Sequence, residues 1–283
     1  MVDRFVHVKG AAPGGWVAPS DGHVVLSEVA DTVLPLAPRG LSVKLCLQGE
    51  EHYDFGGQKL VLRSGHMMVV QGETPGVATL PRSTPSLGMC IYLPPDQVDE
   101  SLFPRIGSRA YVTAAGGSRL GRLALRTAAR LHQRPELGPH AAPRLLAATL
   151  ASLPQLQSET LQRFEALDCS KASTRRELLR RLELARVHLH ENVDRLVSLS
   201  ELSQLVNVSA FHLARSFSAA YGMPPAAYHA DIRMKAARIR LLREGRRPSQ
   251  VAHDLGYSDL RAFSRAFKRA VGSPPSLYVR GAA

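Results

Sequence analysis

Arginines that recur in an internal repeat are the residues of this chain with the clearest potential for chemistry. When the C-terminal sequence is shifted by 50 positions, the pattern R-x-F-x-x-A-x-G-x-P-P-x-x-Y that begins at Arg215 recurs at Arg265. A guanidinium group presents a planar set of donors that matches phosphate oxygens. The repeat therefore predicts two equivalent sites for an anionic partner.

The distribution of charge agrees with such a partner. The chain of 283 residues has 36 Lys and Arg against 24 Asp and Glu, a net charge of +12. Residues 1–160 contain 15 basic and 13 acidic residues, whereas residues 161–283 contain 21 and 11. Nucleic acids bind to basic regions because neutralised phosphates release condensed counterions. Composition alone equally allows a basic surface without a partner, so the positions of the charges must decide.

Each copy of the repeat predicts a helix-turn-helix unit. The first unit spans about 200–221, with Ser200 capping a short helix, a turn at 207–208 and Ser209 capping the second helix. The second unit spans about 248–270, with a turn at 256–257 and Ser258 as the cap. Glycines Gly222 and Gly272 follow the second helices, where a left-handed residue ends a helix.

The outward face of each second helix carries the residues that could meet DNA bases. Helical spacing turns Leu213, Phe217, Phe263 and Phe267 inward. The outward positions are Ala210, Phe211, Ala214, Arg215 and Ser218 in the first unit, and Leu260, Arg261, Ser264, Arg265 and Lys268 in the second. Arg215 and Arg265 have a structural alternative, a salt bridge to a neighbouring acid. Arg261 suits a base or a phosphate equally well.

Two further helices are predicted around these units. One helix, at about 224–243, joins them and is predicted to bury a stripe through Tyr228, Ile232, Lys235 or Ala236, Ile239 and Leu242, with Arg233 on another face. A second helix, at about 175–190, precedes the first unit. Together these elements predict an all-helical C-terminal domain.

The N-terminal half is predicted to be β-rich and then helical. Short runs of strand-forming residues between 24 and 93 alternate with Gly and Pro turns, which favours a sandwich or small barrel. Residues 1–22 are interpreted as a flexible arm. A helix at 118–133 is predicted to bury Leu120, Leu123, Thr127 and Leu131, opposite a row of arginines that we interpret as a solvated face. Another helix is expected at 144–157.

Residues 175–283 resemble the DNA-binding domain of AraC/XylS transcription regulators. The resemblance rests on LSELSQLVNVSAFHLARSFSAAYGMPPAAY and VAHDLGYSDLRAFSRAFKRAVGSPPSLY. It implies sequence-specific DNA binding and promoter control, with DNA contacts from Phe211, Ala214, Arg215, Arg261, Ala262 and Arg265. Phe211 and Ala214 are a departure from the usual recognition helix, because their side chains cannot form hydrogen bonds with bases. They can sense only thymine methyl groups or DNA shape.

The N-terminal half is similar to the cupin-like sensing barrel of that family through LCLQGEEHYDFGGQKLVLRSGHMMVVQGETPG. The resemblance implies an α+β protein of two domains: an arm at 1–22, a cupin-like sensing and dimerisation domain at 23–167, a linker at 168–174 and the DNA-binding domain at 175–283. Its two helix-turn-helix motifs would be joined by a linker helix. Candidate effector ligands are Trp16, Tyr53, Arg63, His66 and Tyr92.

Three other functions compete with this interpretation. A cupin enzyme needs a metal triad or a paired acid and base, but His52 and His66 stand alone. An alkyl-transfer DNA repair protein needs a reactive cysteine and a zinc-binding cluster, but Cys46, Cys90 and Cys169 are isolated. A nonspecific DNA-coating protein does not explain the paired, capped readers. We therefore predict no enzyme activity, metal or cofactor.

The expected partners follow from the regulator interpretation. They are promoter DNA, RNA polymerase, a small-molecule effector and a second copy of the chain. No apolar run approaches the ~18 residues that a membrane span requires. The N-terminus lacks the separated basic and apolar regions of a secretory signal. We therefore expect a cytoplasmic protein associated with the nucleoid and no membrane partner.

Overall fold

The computed structural model describes residues 4–10, 22–36, 40–71, 75–82, 85–98, 110–242 and 244–280, without the side chains of 111 and 114. The chain divides into two compact units, one of Met1–Glu165 with Cys169–Arg180, and one of Ala166–Asp168 with Arg181–Ala283. The first unit is β-rich and the second is helical, which confirms the predicted fold class at that level. Barrel closure and the exact domain bounds stay predictions.

The described strands of the first unit form two sheets. They are β1 Phe5–Lys9, β2 His23–Val29, β3 Thr32–Leu36, β4 Ser42–Gln48, β5 Glu50–Phe55, β6 Gln58–Arg63, β7 His66–Val70, β8 Gly76–Leu80, β9 Ser86–Tyr92 and β10 Ala110–Ala114. One sheet has the order β1-β2-β9-β4-β7-β10 and the other β3-β8-β5-β6. In the large sheet Lys44 of β4 lies opposite Cys90 of β9.

Strand β1 corrects the interpretation of residues 1–22 as an arm. Phe5–Lys9 pairs in parallel with β2, with Phe5 opposite Val24. The Phe5 ring also packs against the start of the second helix, where a Cβ on Gly138 would lie 2.0 Å from the ring. The alternation of apolar and polar residues from Val6 to Lys9 was the available signal. Residues 11–21, including Trp16, lie outside the described part of the chain.

Two helices cover the outer face of the large sheet. They are α1 Arg119–Gln133 and α2 Gly138–Glu165, which extends well beyond the expected 144–157. In α1 the buried residues Leu120, Ala124, Ala128 and Leu131 join the core of the sheet, while Leu123 is 41% exposed. The predicted stripe through Leu123 and Thr127 was therefore wrong, because two alanines allow the helix to approach the sheet more closely.

The remaining helices are α3 Ala172–Glu191, α4 Leu199–Val206, α5 Ala210–Tyr221, α6 Pro225–Leu242, α7 Pro248–Asp254, α8 Leu260–Val271 and α9 Pro275–Arg280. Helix α5 ends at Gly222 with φ 75°, and α8 ends at Gly272 with φ 87°. These left-handed residues confirm the helix ends that the repeat predicts. Helices α4 and α5 form a first helix pair, and α7 and α8 form a second.

Candidate nucleic-acid interface

In the first helix pair, two serine caps and a left-handed turn set the direction of α5. Ser198, rather than the predicted Ser200, caps α4, and its side chain accepts a hydrogen bond from the Glu201 N–H at 3.1 Å. Asn207 ends α4 with φ 51°. The Ser209 hydroxyl then accepts from the His212 N–H at 3.4 Å, as predicted for the start of α5.

The exposed start of α5 is mostly apolar. Leu213 and Phe217 are fully buried, so the opposite face is outward as the spacing predicts. On that face Ala210 is exposed, Phe211 is 79% exposed and Ala214 is half-buried. None of these three side chains can donate a hydrogen bond to a base.

Arg215 is the basic residue of this outward face and already has a partner. Its Nη2 lies 3.6 Å from Asp168 Oδ2, and both side chains are exposed. An exposed pair at this distance contributes little to stability. The salt bridge considered from the sequence is therefore present, but a phosphate could replace the carboxylate at small cost.

The second helix pair has a firmer cap. The Asp259 carboxylate, rather than the predicted Ser258, accepts from the Ala262 N–H at 2.7 Å. This backbone hydrogen bond lowers the pKa of Asp259. For α4 and for α8 the observed cap lies one or two residues from the predicted one and has similar capping ability, so sequence alone could not choose between them. Helix α8 begins directly after the cap.

The exposed face of α8 is basic. Phe263 and Phe267 are fully buried, and on the other side Arg261, Arg265 and Lys268 are exposed. The two small residues beside them, Ala262 and Ser264, are half-buried. Among the described residues, no carboxylate oxygen lies within 4 Å of the three basic side chains. They are therefore available to an anionic partner.

Arg233 of α6 links the surroundings of the two pairs. It was predicted on an outer face of the linker helix, but its side chain is buried. The guanidinium donates to the carbonyl oxygens of Val193, at 3.1 Å, and of Leu255, and stacks over the Tyr257 ring at 4.7 Å. Its role is architectural, because buried carbonyl oxygens satisfy the charged donors.

The buried face of α6 also differs from the predicted one. Ile232 is buried as expected, but Ile239 and Leu242 are 50% and 43% exposed. Buried His229 takes part in this face instead, with its Nε2 3.0 Å from the Asn192 carbonyl oxygen. Burial lowers the pKa of His229. The apolar part of the buried face is instead Ile232, Met234, Ala237 and Leu241, so the face is rotated from the predicted one and also includes an arginine and a histidine that bind backbone carbonyls.

A separate cavity of about 60 Å³ lies within the first unit. Two of the predicted effector ligands, Tyr53 and Tyr92, line it. Arg63 and His66 do not belong to its described lining: Arg63 forms an exposed ion pair with Glu50 at 3.3 Å, and the buried His66 places Nδ1 3.2 Å from the Arg63 carbonyl oxygen. The cavity therefore brings together only two of the predicted effector ligands, Tyr53 and Tyr92.

Lys44, Glu51 and Cys90 also line this cavity and were not predicted. The buried Lys44 Nζ lies 3.1 Å from Cys90 Sγ and 3.5 Å from Tyr92 Oη. Burial opposes its charge, but Cys90, Tyr92 and Glu51 outweigh burial and raise the pKa of Lys44. The signal was a single charged residue within the apolar strand S-V-K-L-C-L.

Glu51 supplies the acidic counterpart in the cavity. It accepts hydrogen bonds from the Tyr53 hydroxyl and, at 2.9 Å, from Ser86 Oγ. Burial and the Glu51 carboxylate raise the pKa of Tyr53, so Tyr53 remains a protonated donor at neutral pH. The described lining of the cavity thus combines a lysine and a glutamate with an apolar wall.

Neither a metal-binding group nor a membrane-spanning helix is found in the part of the chain that the structure describes. None of these residues forms a group of three or more His, Cys, Asp or Glu side chains suited to a metal ion. None of the helices described is long and apolar enough to cross a membrane.

Known proteins resemble the C-terminal part of the chain. Residues 202–281 match the family model of a helix-turn-helix domain. A putative AraC-like transcription regulator of Streptomyces lividans is 37% identical over 91 residues, which cover 32% of this chain and 30% of that protein. The uncharacterized HTH-type transcriptional regulator YbfI of Bacillus subtilis is 39% identical over 77 residues, 27% of this chain and 26% of that protein.

A solved structure also matches part of the chain. It is the C-terminal domain of AraT, a response regulator from Geobacillus stearothermophilus, with 27% identity and a TM-score of 0.35. The match covers 36% of this chain and 84% of that one. The chain thus spans less than a third of the length of the two relatives named above.

Proposed function

We propose that the chain is a transcription regulator that binds promoter DNA in a sequence-specific manner, because residues 202–281 are an AraC-type helix-turn-helix domain. The observation that carries the proposal is the exposed face of α8. Its capped first turns present Arg261 and Arg265, which have no carboxylate oxygen within 4 Å among the described residues. Recognition helices bring this part of the helix to base edges in the major groove.

The second helix pair supplies most of the hydrogen bonds to bases. Arginine can bind guanine O6 and N7 with two donors, and each such pair discriminates by about 1–3 kcal/mol. Arg261 and Arg265 are the candidates for this contact, while Lys268 and Ser264 lie where phosphates or the groove edge would be met. Ala262 is small enough to let the helix approach the bases.

The first helix pair reads DNA by apolar contact and shape. Phe211 and Ala214 would contact thymine methyl groups, and Ala210 would permit a close approach. Arg215 would exchange Asp168 for a phosphate. The two pairs belong to one compact unit, and Arg233 ties α6 to the surroundings of both. Such a unit suits two successive faces of the major groove, roughly 34 Å apart.

Regulation is assigned to the first unit. A small molecule that enters the cavity would meet Lys44 and Glu51, together with the hydroxyls of Tyr53 and Tyr92. We propose that such an effector shifts the population of a homodimer toward the geometry that engages paired half-sites. RNA polymerase is the proposed protein partner and the cytoplasm the proposed location. Because the relatives are named as regulators, we assign no enzymatic activity to the chain.

The test is recovery of bound fragments from a sheared genomic library by the full chain at near-physiological salt. We expect enrichment of one bipartite motif, and its loss in R261Q/R265Q. The matched control K59Q/R63Q removes two exposed charges from the first unit and should keep the motif. Uniform recovery that vanishes as the salt concentration rises would contradict the proposal, because it indicates phosphate binding alone.

A further inference from the structure

A row of four arginines follows α1 of the first unit. Arg122, Arg126 and Arg130 lie four residues apart on the helix, and Arg134 continues the spacing at its C-cap. Residues at this spacing share one helix face, so the row extends about 18 Å along it. All four side chains are exposed. We call this set the arginine row.

The arginine row has no acidic partner among the described residues. No carboxylate oxygen in that part of the chain lies within 4 Å of any of its guanidinium groups. Among the described residues, the Arg122 guanidinium donates only to the Gly116 carbonyl oxygen, at 2.8 Å. Like charges four residues apart destabilise a helix. The helix therefore tolerates a repulsion that an anionic partner would relieve.

Three other arginines of the same unit are paired with acidic residues, whereas Arg4, Arg119 and Arg144 are exposed without a described acid, as the row is. Arg63 contacts Glu50 at 3.3 Å, Arg82 contacts Asp31 at 2.6 Å and Arg163 contacts Glu159 at 3.1 Å. The Asp31 carboxylate raises the pKa of Arg82. The side chains of the arginine row thus differ from those of Arg63, Arg82 and Arg163, because they are exposed and have no acidic partner among the described residues.

The charge composition of the sequence around α1 also sets the arginine row apart. Residues 101–135 contain seven arginines and no Asp or Glu. The rest of residues 1–160 contains eight basic and 13 acidic residues. The row is therefore a basic island in an otherwise acidic half of the chain, and a general excess of positive charge does not explain it.

We propose that the arginine row binds the phosphate backbone of DNA that flanks the segment bound by the helix pairs. This inference rests on the proposed DNA binding of residues 202–281. Every member is arginine, whose forked donors match phosphate oxygens better than a lysine ammonium does. The helix-turn-helix domain of the same chain would hold flanking DNA at a high effective concentration. A duplex also supplies the continuous line of anions that a row of this length requires.

The experiment compares long and short duplexes with the full chain. The short duplex contains the recovered motif alone, and the long one adds flanking sequence on both sides. Affinity is measured by fluorescence anisotropy between about 50 and 200 mM salt for wild type and R122Q/R126Q/R130Q. The control K59Q/R63Q/R82Q also removes three exposed charges from the same unit. Circular dichroism and sedimentation verify the fold and the mass of each variant.

The salt dependence gives the expected result. Each lost phosphate contact reduces the slope of log affinity against log salt by about 0.9, so the row variant should lose about 2–3 in slope on the long duplex. Its slope on the short duplex, and the control on both duplexes, should match wild type.

The remaining outcomes overturn the proposal in distinct ways. An unchanged slope on the long duplex means that the row does not touch DNA. An unchanged slope with altered mass would assign the row to an acidic face of a second copy. If wild type recovers no motif at all, the proposed function fails first, whereas a retained motif with an unchanged long-duplex slope removes only the role of the row.

Discussion

In the first helix pair the exposed turn of α5 presents Ala210 and Phe211, whereas in the second pair the same turn of α8 presents Leu260 and Arg261. The equivalent arginines also differ. Arg215 lies 3.6 Å from Asp168, while Arg265 has no carboxylate within 4 Å among the described residues. One repeat thus carries two surface chemistries. A shared scaffold can keep the position of a recognition helix while changing the DNA feature that the helix contacts.

The turns of the two helix pairs differ in how much space they leave for a side chain. Asn207 adopts φ 51° in the first turn, and Gly256 adopts φ 64° in the second. A Cβ on Gly256 would lie 2.0 Å from the Asp194 carbonyl oxygen. The second turn is therefore closed against its neighbours, and only glycine fits there. Helix α8, whose exposed face is basic, therefore follows the more constrained turn.

The largest predicted effect concerns that constraint. Gly256→Ala should lower the free energy of unfolding by about 2–5 kcal/mol, since it adds a left-handed penalty and a backbone clash. Asn207→Ala should cost only about 1 kcal/mol, because the first turn already contains a side chain. Urea denaturation, with hydrogen exchange in α7 and α8, measures the difference.

Gly272→Ala is the matched control for this prediction. Gly272 has φ 87°, but a Cβ added there would meet no atom within 4 Å. It should therefore lose only the left-handed penalty of about 1–2 kcal/mol. Equal losses at Gly256 and Gly272 would show that the contact with Asp194 does not constrain the second turn.

The next effect concerns the two equivalent arginines. Arg265→Gln should weaken specific DNA binding by about 1–3 kcal/mol and relax the preference at one base pair. Arg215→Gln should weaken binding less and equally for all sequences, because its expected contact is a phosphate. Anisotropy with a set of single-base operator variants separates the two results. If both variants lost the same affinity for every operator variant, α5 and α8 would not differ in how they contact DNA.

A smaller effect is expected from Phe211. Phe211→Ala should reduce affinity by roughly 1 kcal/mol and leave stability unchanged, because the ring is 79% exposed. Wild type should lose affinity when one thymine of its half-site is replaced by deoxyuridine, which lacks the methyl group, and the variant should not. Ile239→Ala, at a 50% exposed position on α6, is the control. Equal sensitivity of wild type and variant to deoxyuridine would contradict a methyl contact.

The repeat allowed much of the helical unit to be predicted. The glycine ends, the inward phenylalanines and the exposed basic positions of α8 follow from spacing alone. The exact caps did not, because Ser258 and Asp259 are adjacent and both can accept a backbone N–H. DNA contact by the outward side chains of α5 and α8 stays a prediction.

Polar residues inside the fold were the main failure of sequence reasoning. Arg233 is buried because two carbonyl oxygens and a tyrosine ring accept its charge, and these come from distant parts of the chain. Lys44 is likewise buried beside Cys90 and Tyr92 of a neighbouring strand. Periodicity assigns faces but cannot identify such partners, so it places charged residues outside by default.

The smallest effect is a pH dependence that distinguishes the first pair. The Glu201 carboxylate accepts hydrogen bonds from Arg195, at 2.9 Å, and from His188, at 2.7 Å. Arg195, and then His188, lower the pKa of Glu201 to about 2. A lowered pKa contributes stability above the ordinary value of 4.5, and this contribution disappears as the pH falls from about 5 to about 2.

We therefore expect hydrogen-exchange protection of α4 to fall in wild type over that pH range. In Glu201→Gln it should already be lower at pH 7 and change less, because no carboxylate remains to be protonated. The contribution is small, since the carboxylate is near the surface and salt screens it. Protection in α8 should instead follow Asp259, whose pKa is lowered chiefly by the Ala262 backbone N–H and only to a lesser extent by Arg265. High salt should therefore weaken the pH dependence of α4 more than that of α8, and equal sensitivity would place both carboxylates in the same kind of environment.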